Sequence, residues 1–257
     1  MTTNRKRISS ISRRQLLKLS GTGLLLSGCS YIFEKKIAGN KPEIANNQTV
    51  IATPEKPTIN ITDNKVEPLQ RLMEGNQRFL AGNNIHPSQS LADVKQAAKG
   101  QKPFAIILSC ADSRVPPEII FDQGLSNLFV LRVAGNILDD ALLASIEYAV
   151  EHLHISLLMV LGHKRCGAVE ATLNAVQKGG KIPGHLKTLV TAIKPAVMQA
   201  KGKPEELLDQ AVKANIKMVV QQLKNATPIV AKVVKSNKLK IVGSYYDLDT
   251  GAVQIIS

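Results

Sequence analysis

The sequence predicts an α/β domain with a mostly parallel central sheet flanked by helices and an antiparallel C-terminal edge strand. Three observations predict it. Short runs rich in Ile, Val and Leu alternate with longer stretches of helical periodicity, the pattern of strands joined by crossover helices. Two of the runs, Phe104–Cys110 and Ser156–Leu161, are apolar almost without interruption, as strands covered on both faces are. The last two runs, Leu239–Tyr246 and Val253–Ile256, are joined through Asp249-Thr250-Gly251, a turn signal that folds the final strand back on its neighbour.

The remaining elements follow in order. Leu69, Leu72, Met73, Phe79 and Leu80 share one helical face, which predicts a helix over Val66–Leu80. A second helix is expected over Ser88–Lys99, with Ser88 or Ser90 as its N-cap. A short helix at Pro117–Asp122 and a strand at Leu128–Val133 come next, the strand ending at Ala134-Gly135-Asn136. Asp139 or Asp140 opens a helix that runs to Leu153. Between the third strand and Leu239, helices are expected at about Cys166–Gln177, His185–Ala200, Pro204–Asn225 and Pro228–Ser236.

The chain divides into three parts. Residues 1–28 read as an export signal: a basic opening with Arg5, Lys6 and Arg7, an apolar stretch from Leu19, and small residues before Cys29. The apolar stretch is about ten residues, half of what a spanning helix needs. Ser12-Arg13-Arg14-Gln15-Leu16-Leu17-Lys18 resembles a twin-arginine export signal, and Leu26-Ser27-Gly28-Cys29 resembles a bacterial lipobox. Cys29 is therefore the expected lipidation site. Residues 29–64 carry that cysteine and a segment rich in Asn, Thr, Pro and Lys, which reads as a flexible tether. Residues 65–257 form the folded domain. The expected place is the periplasm or cell envelope, anchored to a membrane by lipid.

Composition narrows the function further. The formal charge is +13, and six of the positive residues (Arg5, Lys6, Arg7, Arg13, Arg14 and Lys18) precede Cys29, so loss of the signal leaves +7. That excess reads as a solvated basic surface. No nucleic-acid partner is expected, because Trp is absent and no basic stripe is interleaved with aromatics. The three cysteines, Cys29, Cys110 and Cys166, are too few and too odd in number for a disulfide-stapled fold.

Chemistry concentrates in two clusters. Cys110-Ala111-Asp112-Ser113-Arg114 follows the first strand, and His163-Lys164-Arg165-Cys166-Gly167 follows the third. In open parallel sheets, ligands gather at the carboxyl ends of strands. If these two strands are neighbours, Cys110, His163 and Cys166 converge as two thiolates and an imidazole, a catalytic zinc set with a fourth position open. A core cysteine would need no Asp, Arg and His around it. A redox pair of Cys110 with Cys166 is the rival reading, but it leaves His163, Asp112 and Arg114 idle.

Cys-x-Asp-x-Arg followed some fifty residues later by His-x-x-Cys resembles the β-class carbonic anhydrases. The resemblance spans about Leu69 to Ile256 and includes Asp122-Gln123-Gly124 and Arg132-Val-Ala-Gly-Asn136. It implies zinc, one per subunit, on Cys110, His163 and Cys166. It implies a catalytic dyad of Asp112 and Arg114, with Asp112 able to swing onto zinc in a closed state when Arg114 disengages. It places Gln123 in the carbon dioxide pocket, often across a subunit boundary, and Gly167 beside the site. Val115, Val133 and Ala134 would supply apolar wall. The implied reaction is reversible hydration of carbon dioxide to bicarbonate and a proton, by a homodimer or a multiple of dimers with the first helix as an arm. Two alternatives stand beside it: hydrolysis of carbonyl sulfide or carbon disulfide on the same scaffold, and a non-catalytic bicarbonate- or zinc-binding lipoprotein. The absence of Trp departs from relatives whose regulatory bicarbonate site uses one.

Overall fold

The computed structural model describes residues 66–179 and 181–257. The expected export signal at Arg13 and Arg14, the lipidated Cys29 and the tether to Asn64 lie outside the described residues. Among the described residues, no helix is long and apolar enough to cross a membrane.

Five strands make one sheet: β1 (Ala105–Ser109), β2 (Leu128–Arg132), β3 (Leu157–His163), β4 (Lys240–Tyr246) and β5 (Val253–Ile255), in the order β2-β1-β3-β4-β5. The first four run parallel, and β5 pairs antiparallel with β4. The expected architecture is thus the observed one. β1 and β3 lie at the centre, and every residue of both is buried. Side chains alternate across each strand. Ile106, Leu108, Leu158 and Val160 therefore face one core, while Ala105, Ile107, Leu157, Met159 and Leu161 face the other.

Helices cover both faces. The first core is closed by α4 (Asp140–His152), α5 (Gly167–Lys178), α6 (Leu186–Gln199), α7 (Leu207–Asn225) and α8 (Ile229–Lys235). The second is closed by α1 (Pro68–Leu80) and α3 (Pro117–Ile120), through Leu72, Ile120 and Phe121. α2 (Leu91–Ala97) lies on the surface with no buried residue. Of the two serines that could start it, Ser90 does so, in a reciprocal box with Asp93. Asp139, rather than Asp140, caps α4 by accepting from the Leu142 N–H at 2.8 Å.

The third strand runs further than its apolar stretch. Its ladder continues through Gly162 and His163, opposite Tyr245 and Tyr246 of β4, so His163 is the last strand residue. Gly162 reads as a loop residue but is a packing residue. A Cβ there would lie 2.5 Å from Ile216 Cγ1 of α7, so the helix reaches the sheet only over a glycine. α7 also starts at Leu207, three residues after the expected Pro204.

α1 is fixed to its own domain by buried polar groups. Asn76 donates to the carbonyls of Ile120 (3.2 Å) and Gly251 (3.0 Å) and accepts from the Val253 N–H (3.0 Å). Asp122, buried beneath Arg78, receives its Nε–H at 2.7 Å and the N–H groups of Ile85 and His86. Burial pushes the Asp122 carboxyl up, but those donors outweigh it and leave the group below its ordinary value.

Asn76→Ala leaves two carbonyls and one N–H without this partner, a loss of about 2 to 4 kcal/mol. For a domain of this size that should lower Tm by roughly 5 to 15 °C. A thermal melt with unchanged Tm would show that α1 is not held this way.

Candidate metal centre

The register of β1 against β3 builds the site. Ser109 lies opposite Leu161 in the parallel ladder, so both chains leave the sheet at the same carboxyl edge. Cys110 is the residue after Ser109, His163 ends β3, and Cys166 is the residue before α5. The three side chains meet. Cys110 Sγ, a ring nitrogen of His163 and Cys166 Sγ all lie within 4.8 Å of one another, and all three residues are buried.

The histidine ring is oriented by its own loop. Its Nδ1 lies 2.9 Å from the Lys164 carbonyl oxygen, which can only accept, so Nδ1 carries the proton. Nε2 is buried and without a hydrogen-bond partner, and on the neutral ring it presents a lone pair. A backbone carbonyl on one nitrogen and a free lone pair on the other is how metal-binding histidines are held. Cys110 Sγ accepts the Gly135 N–H at 3.3 Å. The hydrogen bond shared with Cys166 pulls the Cys110 thiol below its ordinary value, against the opposing effect of burial, and pushes Cys166 up. This buried donor set fits a tetrahedral, thiophilic divalent ion such as zinc, with one position left over.

Asp112 stands beside the cluster, its Oδ2 3.8 Å from His163 Nε2. Arg114 grips it as a fork: Nε and the backbone N–H each donate to Oδ1 at 2.9 Å, and Nη2 donates to Oδ2 at 2.7 Å. These bonds hold the Asp112 carboxyl well below the usual carboxylate range, against a weaker upward push from burial. The sequence-predicted dyad and the three sequence-predicted ligands therefore form one constellation.

The other expected residues are placed less centrally. Gly167 opens α5 directly after Cys166, and a Cβ there would meet nothing within 4 Å. With Ala134 it borders a cavity of about 440 Å³ lined mostly by apolar residues of α5, α6 and the loop between them, with Lys181 among them. Val133 packs against the first core and Val115 is buried in the second. Gln123 is buried, and its hydrogen bonds go to other residues than those of this constellation. Its side chain donates to the Phe121 carbonyl (2.9 Å) and accepts from Asn127 (3.3 Å) and Arg71 (3.5 Å), all within the protomer.

Several residues were not singled out from sequence. Arg132 donates to the carbonyls of Cys110 (3.1 Å) and Asp112 (2.6 Å) and so holds the turn that carries both. Its place in the Arg132–Asn136 segment was the available signal. Lys164 pairs with Asp247 and Asp249, and Arg165 forks onto Asp249, so the His163–Cys166 loop is clamped to the β4–β5 turn. Arg165 lies between His163 and Cys166 with φ +53°, a left-handed conformation unusual for its type.

A parallel sheet with this donor set at its carboxyl edge defines an α/β protein with a site that could hold a metal ion. The carbonic anhydrase family profile matches residues 105–253. The chain is 42% identical over 188 residues to carbonic anhydrase 2 of Mycobacterium tuberculosis, covering 73% of this chain and 91% of that one. It is 38% identical over 194 residues to a carbonic anhydrase of Mycolicibacterium smegmatis, covering 76% and 94%. It superposes with TM-score 0.60 on the tetrameric β-carbonic anhydrases of Sordaria macrospora at 25% identity, covering 72% of this chain and 94% of that chain. The chain belongs to the carbonic anhydrase family, in its β class, and is a carbonate dehydratase.

Arg114→Ala should retain metal yet lower carbon dioxide hydration about tenfold or more. The carboxylate keeps its charge near neutral pH, so what is lost is its aim and the restraint that holds it back from the neighbouring Cys–His–Cys cluster. A full-rate variant in stopped flow would remove the fork from the mechanism.

Proposed function

We propose that this chain is a zinc carbonic anhydrase that interconverts carbon dioxide and bicarbonate at the cell envelope, lipid-anchored through Cys29. The observation that carries the zinc reading is the buried, partnerless Nε2 of His163 in a ring that meets two cysteine sulfurs. Cys110, His163 and Cys166 would hold one zinc per subunit. Zinc there would acidify a water and supply a hydroxide nucleophile near neutral pH.

The protein's own groups direct the rest. Asp112 is ionised, so it can only accept, and its aim is set by the Arg114 fork. It would take a hydrogen bond from the attacking hydroxyl and turn the oxygen lone pair toward the carbon of carbon dioxide. Arg114 engages both Asp112 oxygens, which would keep the carboxylate from binding the metal in place of water. Attack makes the new carbon–oxygen bond of bicarbonate, and the proton taken from water leaves to buffer. Ala134, Gly167 and the mostly apolar cavity beside them suit an uncharged, weakly polar substrate.

Arg13-Arg14 and Leu26–Cys29 support export and anchoring, and a twin-arginine route would carry the domain folded with its metal in place. A homodimer or a multiple of dimers is part of the proposal. The relatives from Sordaria macrospora are tetrameric, and Gln123 would act across the subunit boundary.

Stopped-flow hydration with zinc quantified on the same sample tests the reaction. About one zinc per chain with activity is expected, and Cys110→Ser should lose both. A higher efficiency on carbonyl sulfide would overturn the choice of substrate, and a zinc-loaded chain inert on both would make it a binding protein. Changing Arg13 and Arg14 to Lys should trap the protein inside the cell. Unaltered export in fractionated cells would overturn the twin-arginine reading.

A further inference from the structure

Asn215 has no part in the mechanism above, and its position calls for one. The buried face of α7 is Ala211, Val212, Ile216, Val219, Val220 and Leu223, and Asn215 is the only polar residue among the buried residues of that helix. It is 1% exposed. Its Oδ1 has no hydrogen-bond partner, so the residue carries an uncompensated desolvation cost that a leucine of similar volume would avoid. A buried polar group that weakens its own helix packing points to a job elsewhere.

That job is visible in two links. Asn215 Nδ2 donates to the Gly135 carbonyl at 2.9 Å, across eighty residues of sequence. Gly135 N–H in turn donates to Cys110 Sγ at 3.3 Å. Gly135 has φ +70°, and a Cβ there would lie 2.7 Å from Ile193 Cδ1 and 3.2 Å from Ala168 Cβ, so only glycine suits the position. Glycine is also the residue least able to hold one conformation by itself. Its carbonyl has to be tethered if its N–H is to stay aimed at the sulfur. The next residue of α7, Ile216, packs on Gly162, the neighbour of His163. One turn of α7 thus braces the chain beside two of the three ligands.

We infer that Asn215 is a positioning residue for the metal centre: by fixing the Gly135 carbonyl it keeps the Gly135 N–H on the Cys110 sulfur. An N–H donor withdraws charge from a thiolate, lowering its repulsion with the second thiolate and tuning its donation to the metal. The inference rests on the proposed metal site.

The test uses the purified full chain, loaded with zinc or with cobalt(II) as a spectroscopic probe. Zinc affinity is measured by competition with a chelator, and the thiolate-to-cobalt charge-transfer band is recorded. Asn215→Leu removes the donor and keeps the volume, and Asn215→Ser is the smaller variant to read if the leucine chain does not fold. Val219→Ala, on the same face of α7 but without a polar contact, controls for lost packing. Asn215→Leu or Asn215→Ser should weaken zinc by about tenfold and shift the charge-transfer band, while Val219→Ala moves neither. Unchanged affinity and band in the Asn215 variants overturn the inference, as does an equal change in Val219→Ala. A wild-type chain that binds neither metal overturns the reading of the site, and the inference falls with it.

Discussion

Everything chemical in this protein depends on β1 and β3 being parallel neighbours in one register. Ser109 opposite Leu161 puts the exits of both strands at one edge of the sheet. Two segments fifty residues apart then deliver a cysteine, a histidine and a second cysteine to one point. A shift of one residue in either strand would turn Cys110 or His163 to the opposite face and scatter the cluster. The register is held because both strands are buried on both sides, so each residue is committed to one core or the other. The apolar cores are in that sense the frame of the metal centre.

Around that frame, backbone groups and charges set the orientation of each ligand. The Lys164 carbonyl fixes the proton of His163 on Nδ1, and the Gly135 N–H faces Cys110. Arg132 holds the carbonyls of Cys110 and Asp112, and Arg114 holds the Asp112 carboxylate. The Lys164 and Arg165 pairs are partly exposed to solvent, where single ion pairs contribute little. Two cations meeting two carboxylates make a network, however, and here it restrains a four-residue loop that carries two ligands. Precision at the site comes from many modest contacts on short loops, each leaning on the sheet.

Much of this was legible in the sequence, for identifiable reasons. The uninterrupted apolarity of Ala105–Leu108 and Leu157–Leu161 is itself the signature of double-sided burial, and it gave away the parallel sheet. Ser90 and Asp139 were readable as caps because their side chains act within one turn. The end of β3 was misplaced because Gly162 and His163 look like loop composition. Their place in the ladder depends on α7 approaching over the glycine, which no local pattern encodes. Arg132 and Asn215 escaped for the same reason, since their partners lie 22 and 80 residues away. Asn215 did leave a trace as a polar residue in the middle of an apolar helical stripe. Gln123 was named from resemblance, and within the protomer its hydrogen bonds stabilise the contact between α1 and the α3 end.

The central claim is that Cys110, His163 and Cys166 together hold one zinc and leave one position open. Zinc X-ray absorption on the purified, zinc-loaded chain tests it most directly. The account predicts two sulfur scatterers at about 2.3 Å and two lighter ones at about 2.0 to 2.1 Å, one of them imidazole, in a chain holding about one zinc. A shell without sulfur, a shell of four sulfurs, or a chain that retains no zinc would contradict it.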